Sequence, residues 1–178
     1  MSRVGVAAAQ RKVEISGLLN RRVIGIGELV VSNITNQVIA THAVGSCIAV
    51  CVYDPVAQVA GMLHFLLPES SINAARAERH PAVFADTGIP LLFQTAYAYG
   101  LSKQRAIVKI VGGAEMPQNA TAGFNTGRRN AVAARNLLWR NGVFTAGEDV
   151  GGAHARTVHL SVETGRLQIF SGQHSKEL

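Results

Sequence analysis

The chain has 178 residues, 48% apolar and 16% charged, the makeup of a globular protein large enough to bury a real core and not that of a disordered tail. No apolar run approaches the ~18–20 residues that span a bilayer, and the opening "MSRVGVAAAQRKVEISGLLNRR" falls below the ~7–15-residue core of a secretory signal, so a cytoplasmic protein without membrane insertion is expected. The net charge of +6 favours acidic partners, but the cations are spread over Arg11, Lys12, Arg21 and Arg22 and over Arg128, Arg129, Arg135 and Arg140. No RNA-recognition signature or zinc-finger spacing accompanies them, so nucleic acid is not expected as the main partner.

In chain order, residues 1–20 read as a flexible lead-in and 21–178 as one domain. "RVIGIGELVVSN" (22–33) is rich in Val and Ile and reads as a strand; "GIGE" lacks the glycine spacing and following helix of a dinucleotide fingerprint. "QVIATHAVGS" (37–46) is a second strand running into a turn at Gly45. "CIAVCVY" (47–53) and "VAGMLHFLL" (59–67) flank the Asp-Pro turn signal "DPVA", which predicts a hairpin. Residues 70–86, broken by Pro81, read as a loop with a short helix. "TGIPLLFQTAYAYG" (87–100) is a helix with Thr87 as its cap, Pro90 in its first turn and Gly100 at its end. "RAIVKIVGG" (105–113) is a strand, "NTGRRNAVAARNLLWRNG" (125–142) a helix, and "ARTVHLSVETGRLQIFS" (155–171) a hairpin turning at Thr164-Gly165. Many strands, two main helices and tight connections predict an α+β fold with a mixed, mostly antiparallel sheet.

The chemistry concentrates in "THAVGSCIAVCVYDPVAQVAGMLHFLLP" (41–68). With Asp54–Ala57 as a four-residue turn, Tyr53 opposes Gln58 and Cys47 opposes His64, with Cβ atoms ~4.5–5.5 Å apart. An imidazolium beside a thiol stabilises the thiolate, and the same histidine can protonate a departing amine and activate water. Gly45-Ser46 before Cys47 suits a tight turn that leaves backbone amides free for an oxyanion. Thr41 could hydrogen-bond the imidazole. From spacing alone two readings stay open: a thiol site, or a half-buried sheet that happens to contain Cys and His. Cys51, inside "AVCVY", reads as a small core residue. Two cysteines four steps apart on one strand are about 13 Å apart, beyond the ~7 Å Cα limit of a disulfide, and the same spread argues against a zinc site.

"THAVGSCIAVCVYDP" followed by "AGMLHFLLP" closely resembles the signature of the CheD family, the chemoreceptor glutamine deamidases of bacterial and archaeal chemotaxis. "IGIGELVVS", "FADTGIPLL", "KIVGGAEM", "GRRNAVAARNLL" and "EDVGGAHARTVHLSVETGRLQI" resemble further family segments in the same order, covering roughly 22–170. Val44, Ala60 and Ala155 depart from the usual Leu, Gly and Gly, and none of these removes a catalytic side chain. The resemblance implies a layered α/β/β fold similar to cytotoxic necrotizing factor-type cysteine hydrolases. It implies a catalytic triad of Cys47 as nucleophile, His64 as base and acid, and Thr41 as third member, with Gly45 and Ser46 as backbone support. It implies hydrolysis of receptor glutamine side chains to glutamate with release of ammonia, without metal or organic cofactor. The expected partners are the cytoplasmic domains of methyl-accepting chemotaxis receptors and a CheC-type phosphatase. The alternative is a CheC-binding regulatory module with little or no deamidase activity; acyl transfer to an amine would use the same thioester.

Overall fold

The computed structural model describes residues 20–115 and 125–178; apart from Asn20, the expected lead-in lies outside the described residues. The strands are β1 (Arg21–Ile24), β2 (Glu28–Ser32), β3 (Val38–Val44), β4 (Ile48–Asp54), β5 (Val59–Phe65), β6 (Ile107–Gly112), β7 (Thr145–Val150), β8 (Arg156–Ser161), β9 (Leu167–Ser171) and β10 (His174–Glu177). The helices are α1 (Ala74–Arg79), α2 (Ala85–Ala98) and α3 (Thr126–Arg140), with 3-10 turns at 70–72 and 81–83.

The strands form two five-stranded sheets, one in the order β1-β3-β8-β9-β10 and the other β2-β5-β4-β6-β7. Among the strands of the described residues, only the β1–β3 and β6–β7 pairs are parallel, so the predicted mixed, mostly antiparallel α+β character is what the structure has. The layering follows from the alternation of side chains along β4 and β5, every residue of which is buried. Ile48, Val50, Val52, Val59, Leu63 and Phe65 point to one core, which α2 and α3 close with Ile89, Leu92, Ala134 and Leu138. Ala49, Cys51, Tyr53, Ala60 and Met62 point the other way, into a second core shared with Ile39, Val158, Leu160 and Ile169 of the other sheet. Helices, sheet and sheet therefore stack as three layers, with β4 and β5 in the middle one.

Several local expectations are corrected. Residues 22–33 do not form one strand. The chain crosses from one sheet to the other at Gly25–Gly27, where Gly27 adopts φ +77 and a Cβ would sit 2.8 Å from Val83. The hairpin turn sits one residue later than predicted. Asp54 stays in the ladder opposite Val59, because its Oδ1 accepts the N–H groups of Val56 (2.9 Å) and Ala57 (3.2 Å) and so closes the turn from the strand end. His64 therefore opposes Ala49 and not Cys47. The shift moves each arm by one residue, two in register, and leaves Cys47 outside the ladder, one residue before its end at Ile48. Helix α2 starts earlier than predicted, with Phe84 as its cap residue, and Pro90 lies inside it. Thr87 does not cap; its hydroxyl donates to the Pro81 carbonyl at 2.6 Å. Strands β7 and β10 were not predicted from strand patterning. β7, "TAGEDV", and β10, "HSKE", carry too few apolar residues to signal a strand and are built by pairing with β6 and β9.

Candidate active site

The break between β1 and β2 builds one wall of the site. As β1 ends, the Ile24 carbonyl lies beside Thr41, its ladder partner on β3, and accepts the Thr41 hydroxyl at 2.9 Å. Three residues on, the Gly27 amide donates to the His64 carbonyl at 2.7 Å, pinning β5 at the histidine. Thr41 Oγ1 and His64 Nδ1 are 2.8 Å apart, and both residues are fully buried between the sheets.

The proton positions follow from the partners. A carbonyl oxygen only accepts, so the single hydroxyl proton of Thr41 goes to Ile24. Thr41 Oγ1 must then accept from His64, which puts the ring proton on Nδ1 and leaves Nε2 with a bare lone pair. Nε2 is buried and has no hydrogen-bond partner among the described residues. Thr41 thus fixes the orientation of the ring, and Nε2 is left without a hydrogen bond among the described residues.

Cys47 reaches this region through a bulge and a turn. β3 loses register between Thr41 and Val44, with Ala43 at φ 55, and the chain swings out of the first sheet into Gly45-Ser46-Cys47. All three carbonyls of that turn are held from behind. Gly45 accepts from Ala114 N at 2.8 Å, Cys47 accepts from Gly113 N at 2.8 Å, and Ser46 accepts from the Asn130 amide at 2.9 Å. The approach is close enough to require glycine: a Cβ on Gly112 would lie 2.2 Å from the Cys47 carbonyl oxygen, at φ +123.

Burial acts on both candidate groups. Burial pushes the Cys47 thiol up, with a smaller opposing pull from its own backbone N–H, and burial pushes His64 down to about 4. Burial therefore disfavours the charged form of both groups, where the sequence reading expects imidazolium beside thiolate. Cys51, 2% exposed in the inter-sheet core, has its thiol pushed up to about 12 by burial, against a smaller pull from Lys109. It is the inert core cysteine the sequence indicated. Both cysteines are free, and no cluster of three or more metal-ligating His, Cys, Asp or Glu side chains occurs among the described residues.

One residue was missed as a site component. Asn130 lies at 0% exposure on α3, and its Nδ2 donates to the carbonyls of both Ser46 and Leu66. The signal was present, since Asn130 interrupts the small-residue face formed by Gly127, Ala131 and Ala134. A polar residue on the buried face of a helix calls for partners.

Fold and site together define an α+β protein of two stacked sheets under a helical layer, with a histidine buried between the sheets and hydrogen-bonded to Thr41, and a buried cysteine in the turn just before the strand that pairs with the histidine's own. Comparison with known proteins then assigns the family. The family description "CheD chemotactic sensory transduction" matches residues 66–171. A relative from Solibacter usitatus (strain Ellin6076), named probable chemoreceptor glutamine deamidase CheD, is 43% identical over 156 residues, 88% of this chain and 92% of its own. Another from Anaeromyxobacter dehalogenans (strain 2CP-C), named probable chemoreceptor glutamine deamidase CheD 2, is 46% identical over 149 residues, 84% of this chain and 93% of its own. The chain belongs to the CheD family. A solved structure of a Neisseria meningitidis protein, 14% identical, covers 76% of this chain and 64% of its own with a TM-score of 0.39, too distant to bear on the fold.

Proposed function

We propose that this protein is a chemoreceptor glutamine deamidase that uses Cys47 as nucleophile, His64 as base and acid, and Thr41 to orient His64. The observation that carries the reading is the Thr41–His64 hydrogen bond at 2.8 Å, which leaves Nε2 bare, in a chain of the CheD family. When a glutamine side chain enters, Nε2 takes the Cys47 thiol proton and the sulfur attacks Cδ. The amides of Ser46 and Cys47 donate to the oxyanion, because the carbonyls of Gly45, Ser46 and Cys47 are already turned back into the protein. His64 returns the proton to the departing nitrogen and ammonia leaves a thioester on Cys47. Water, deprotonated by His64, opens the thioester to glutamate and restores the thiol. Burial disfavours a standing charge on either group, so the proton passes from sulfur to Nε2 as the sulfur attacks, and the imidazolium holds it until the nitrogen departs. The chemistry needs no metal or organic cofactor.

Residues 21–178 act as one catalytic unit, with receptor cytoplasmic domains as substrate. Family membership supports that partner, and the family resemblance supports a CheC-type phosphatase as a second. No helix among the described residues is long and apolar enough to cross a membrane, which fits action in the cytoplasm on the receptor's cytoplasmic domain. The test is ammonia release from the purified cytoplasmic domain of a cognate chemoreceptor. The wild-type protein should release it and Cys47→Ala should not; release that persists without the thiol refutes the mechanism.

A further inference from the structure

The β4–β5 ladder ends at the Ile48–Phe65 pair. Cys47 stands one residue beyond the last rung, so no ladder bond ties the nucleophile to the strand that carries His64. Asn130 spans the gap. Its single NH2 group donates to Ser46 O, one residue before Cys47, at 2.9 Å and to Leu66 O, two residues past His64, at 2.8 Å. Both acceptors are carbonyls, so only the NH2 side of the amide can face them, which fixes the orientation of the side chain. The contact acts as a side-chain rung, placed where the two arms of the hairpin have separated.

Two further observations make this rung rigid and costly. The helix that carries it is fixed at its start, where the Arg128 amide donates to Glu115 Oε1 at 2.8 Å and Gly127 packs so tightly that a Cβ would lie 2.5 Å from the Ala114 carbonyl oxygen. Asn130 Oδ1 is buried with no hydrogen-bond partner among the described residues. An orphaned buried acceptor is unfavourable, and an apolar side chain on the Ala131–Ala134 face would avoid it. The two donated bonds must justify that cost, and what they hold together is the thiol turn and the histidine strand.

We infer that Asn130 is a positioning residue that sets the placement of Cys47 relative to His64. The inference rests on the proposed deamidase reading for its catalytic consequence, but its geometric content can be read from the thiol alone. The experiment compares Asn130→Asp and Asn130→Ser with Leu138→Ala, a buried core truncation toward the other end of the same helix. Asp keeps the shape but offers acceptors to two carbonyls; Ser is neutral and too short to bridge both. Three measurements are made: the pH profile of Cys47 alkylation by iodoacetamide, steady-state kinetics (kcat and KM) on receptor cytoplasmic domain, and Tm. Both Asn130 variants should move the alkylation profile toward that of His64→Ala and lower kcat about tenfold or more with KM little changed, since misplacement is felt at the reacting atoms. Leu138→Ala should lower Tm and leave the alkylation profile and kcat near wild type. If Asn130→Asp does not fold, Asn130→Ser gives the same comparison below its Tm. Folded Asn130 variants with a wild-type alkylation profile overturn the inference, as does a His64→Ala profile that overlays wild type, because no coupling would then exist to be set. A wild-type protein that releases no ammonia defeats the functional reading and leaves the alkylation comparison to decide this one.

Discussion

At the residue scale, the two cysteines differ in surroundings more than in exposure. Cys47 lies at the end of a turn, next to the sheet region that holds His64, whereas Cys51 is enclosed among Ala49, Met62 and Val111 in the inter-sheet core. Cys47→Ala should therefore abolish deamidation with little change in Tm. Cys51→Ala should keep activity and lose about 1 kcal/mol of stability, the cavity cost of a small truncation, measured by urea denaturation. Equal loss of activity in both folded variants contradicts the assignment. In the proposed mechanism Thr41 acts through its hydroxyl, which donates to Ile24 and accepts from His64. Thr41→Ser should retain much of the activity, while Thr41→Ala and Thr41→Val lower kcat more than they raise KM. Val preserves the branched shape a strand favours, so a Val variant as active as Ser would reduce Thr41 to a packing role. The hydrogen bond between Thr41 and the His64 imidazole was legible in the sequence. The burial that disfavours charge on both groups was not, since it depends on two sheets that no local spacing reveals.

At the element scale, the hairpin was legible because "DPVA" separates two apolar runs, but its register was not. The sequence signal places Asp54 in the turn; the structure keeps it in the strand and uses its carboxylate. Burial alone would raise that carboxyl, but the Arg105 guanidinium at 2.7 Å and the amides of Ser102, Ala57 and Val56 outweigh burial and hold it well below the usual carboxylate range. The split of 22–33 at Gly25–Gly27 was equally hidden, because both pieces have strand composition and only the tertiary fold sends them to different sheets. Helix α3 offers a test in which local and tertiary preferences oppose each other. In an exposed helix Gly→Ala stabilises by about 1 kcal/mol. At Gly127 the added Cβ would meet the Ala114 carbonyl oxygen at 2.5 Å and the Gly113 backbone at 2.6 Å, contacts that backbone cannot yield cheaply. Gly127→Ala should therefore destabilise by about 2 kcal/mol or more and slow deamidation, because the same backbone holds the Cys47 turn. A urea midpoint at or above wild type contradicts this packing.

At the scale of the whole molecule, the fold disfavours the charged form of two histidines, one buried and one half-buried. His64 lies between the sheets, and burial lowers it to about 4. His159 packs its ring against Phe170, with centroids 4.9 Å apart; burial, then Arg21 and His42, lower it to about 4 as well. In the unfolded chain both take up protons near pH 6.5, so the unfolded state binds more protons between there and pH 4. Their contribution is fully present above about 6.5 and is lost as pH falls toward about 4, with His64 alone accounting for about 3 kcal/mol. The Asp54–Arg105 pair stays ionised across this window, so it does not add to the loss. Urea midpoints should drop between about pH 7 and about pH 4.5, and less so in His64→Gln; equal midpoints contradict neutral burial. The layered architecture follows from β4 and β5 being apolar on both faces, a pattern readable in the sequence. Which sheet covers which face is set by long-range pairing and was not readable.

The account stands on the conversion of a receptor glutamine to glutamate by the Cys47 thiol. Mass spectrometry of a cognate receptor's cytoplasmic domain, digested after incubation with the protein, reads that conversion at individual peptides. Specific glutamine peptides should gain the small mass of amide-to-acid exchange with the wild-type protein and remain unchanged with Cys47→Ala. Receptor peptides that stay amidated with the folded wild-type protein, or that convert equally with the Cys47 variant, contradict it.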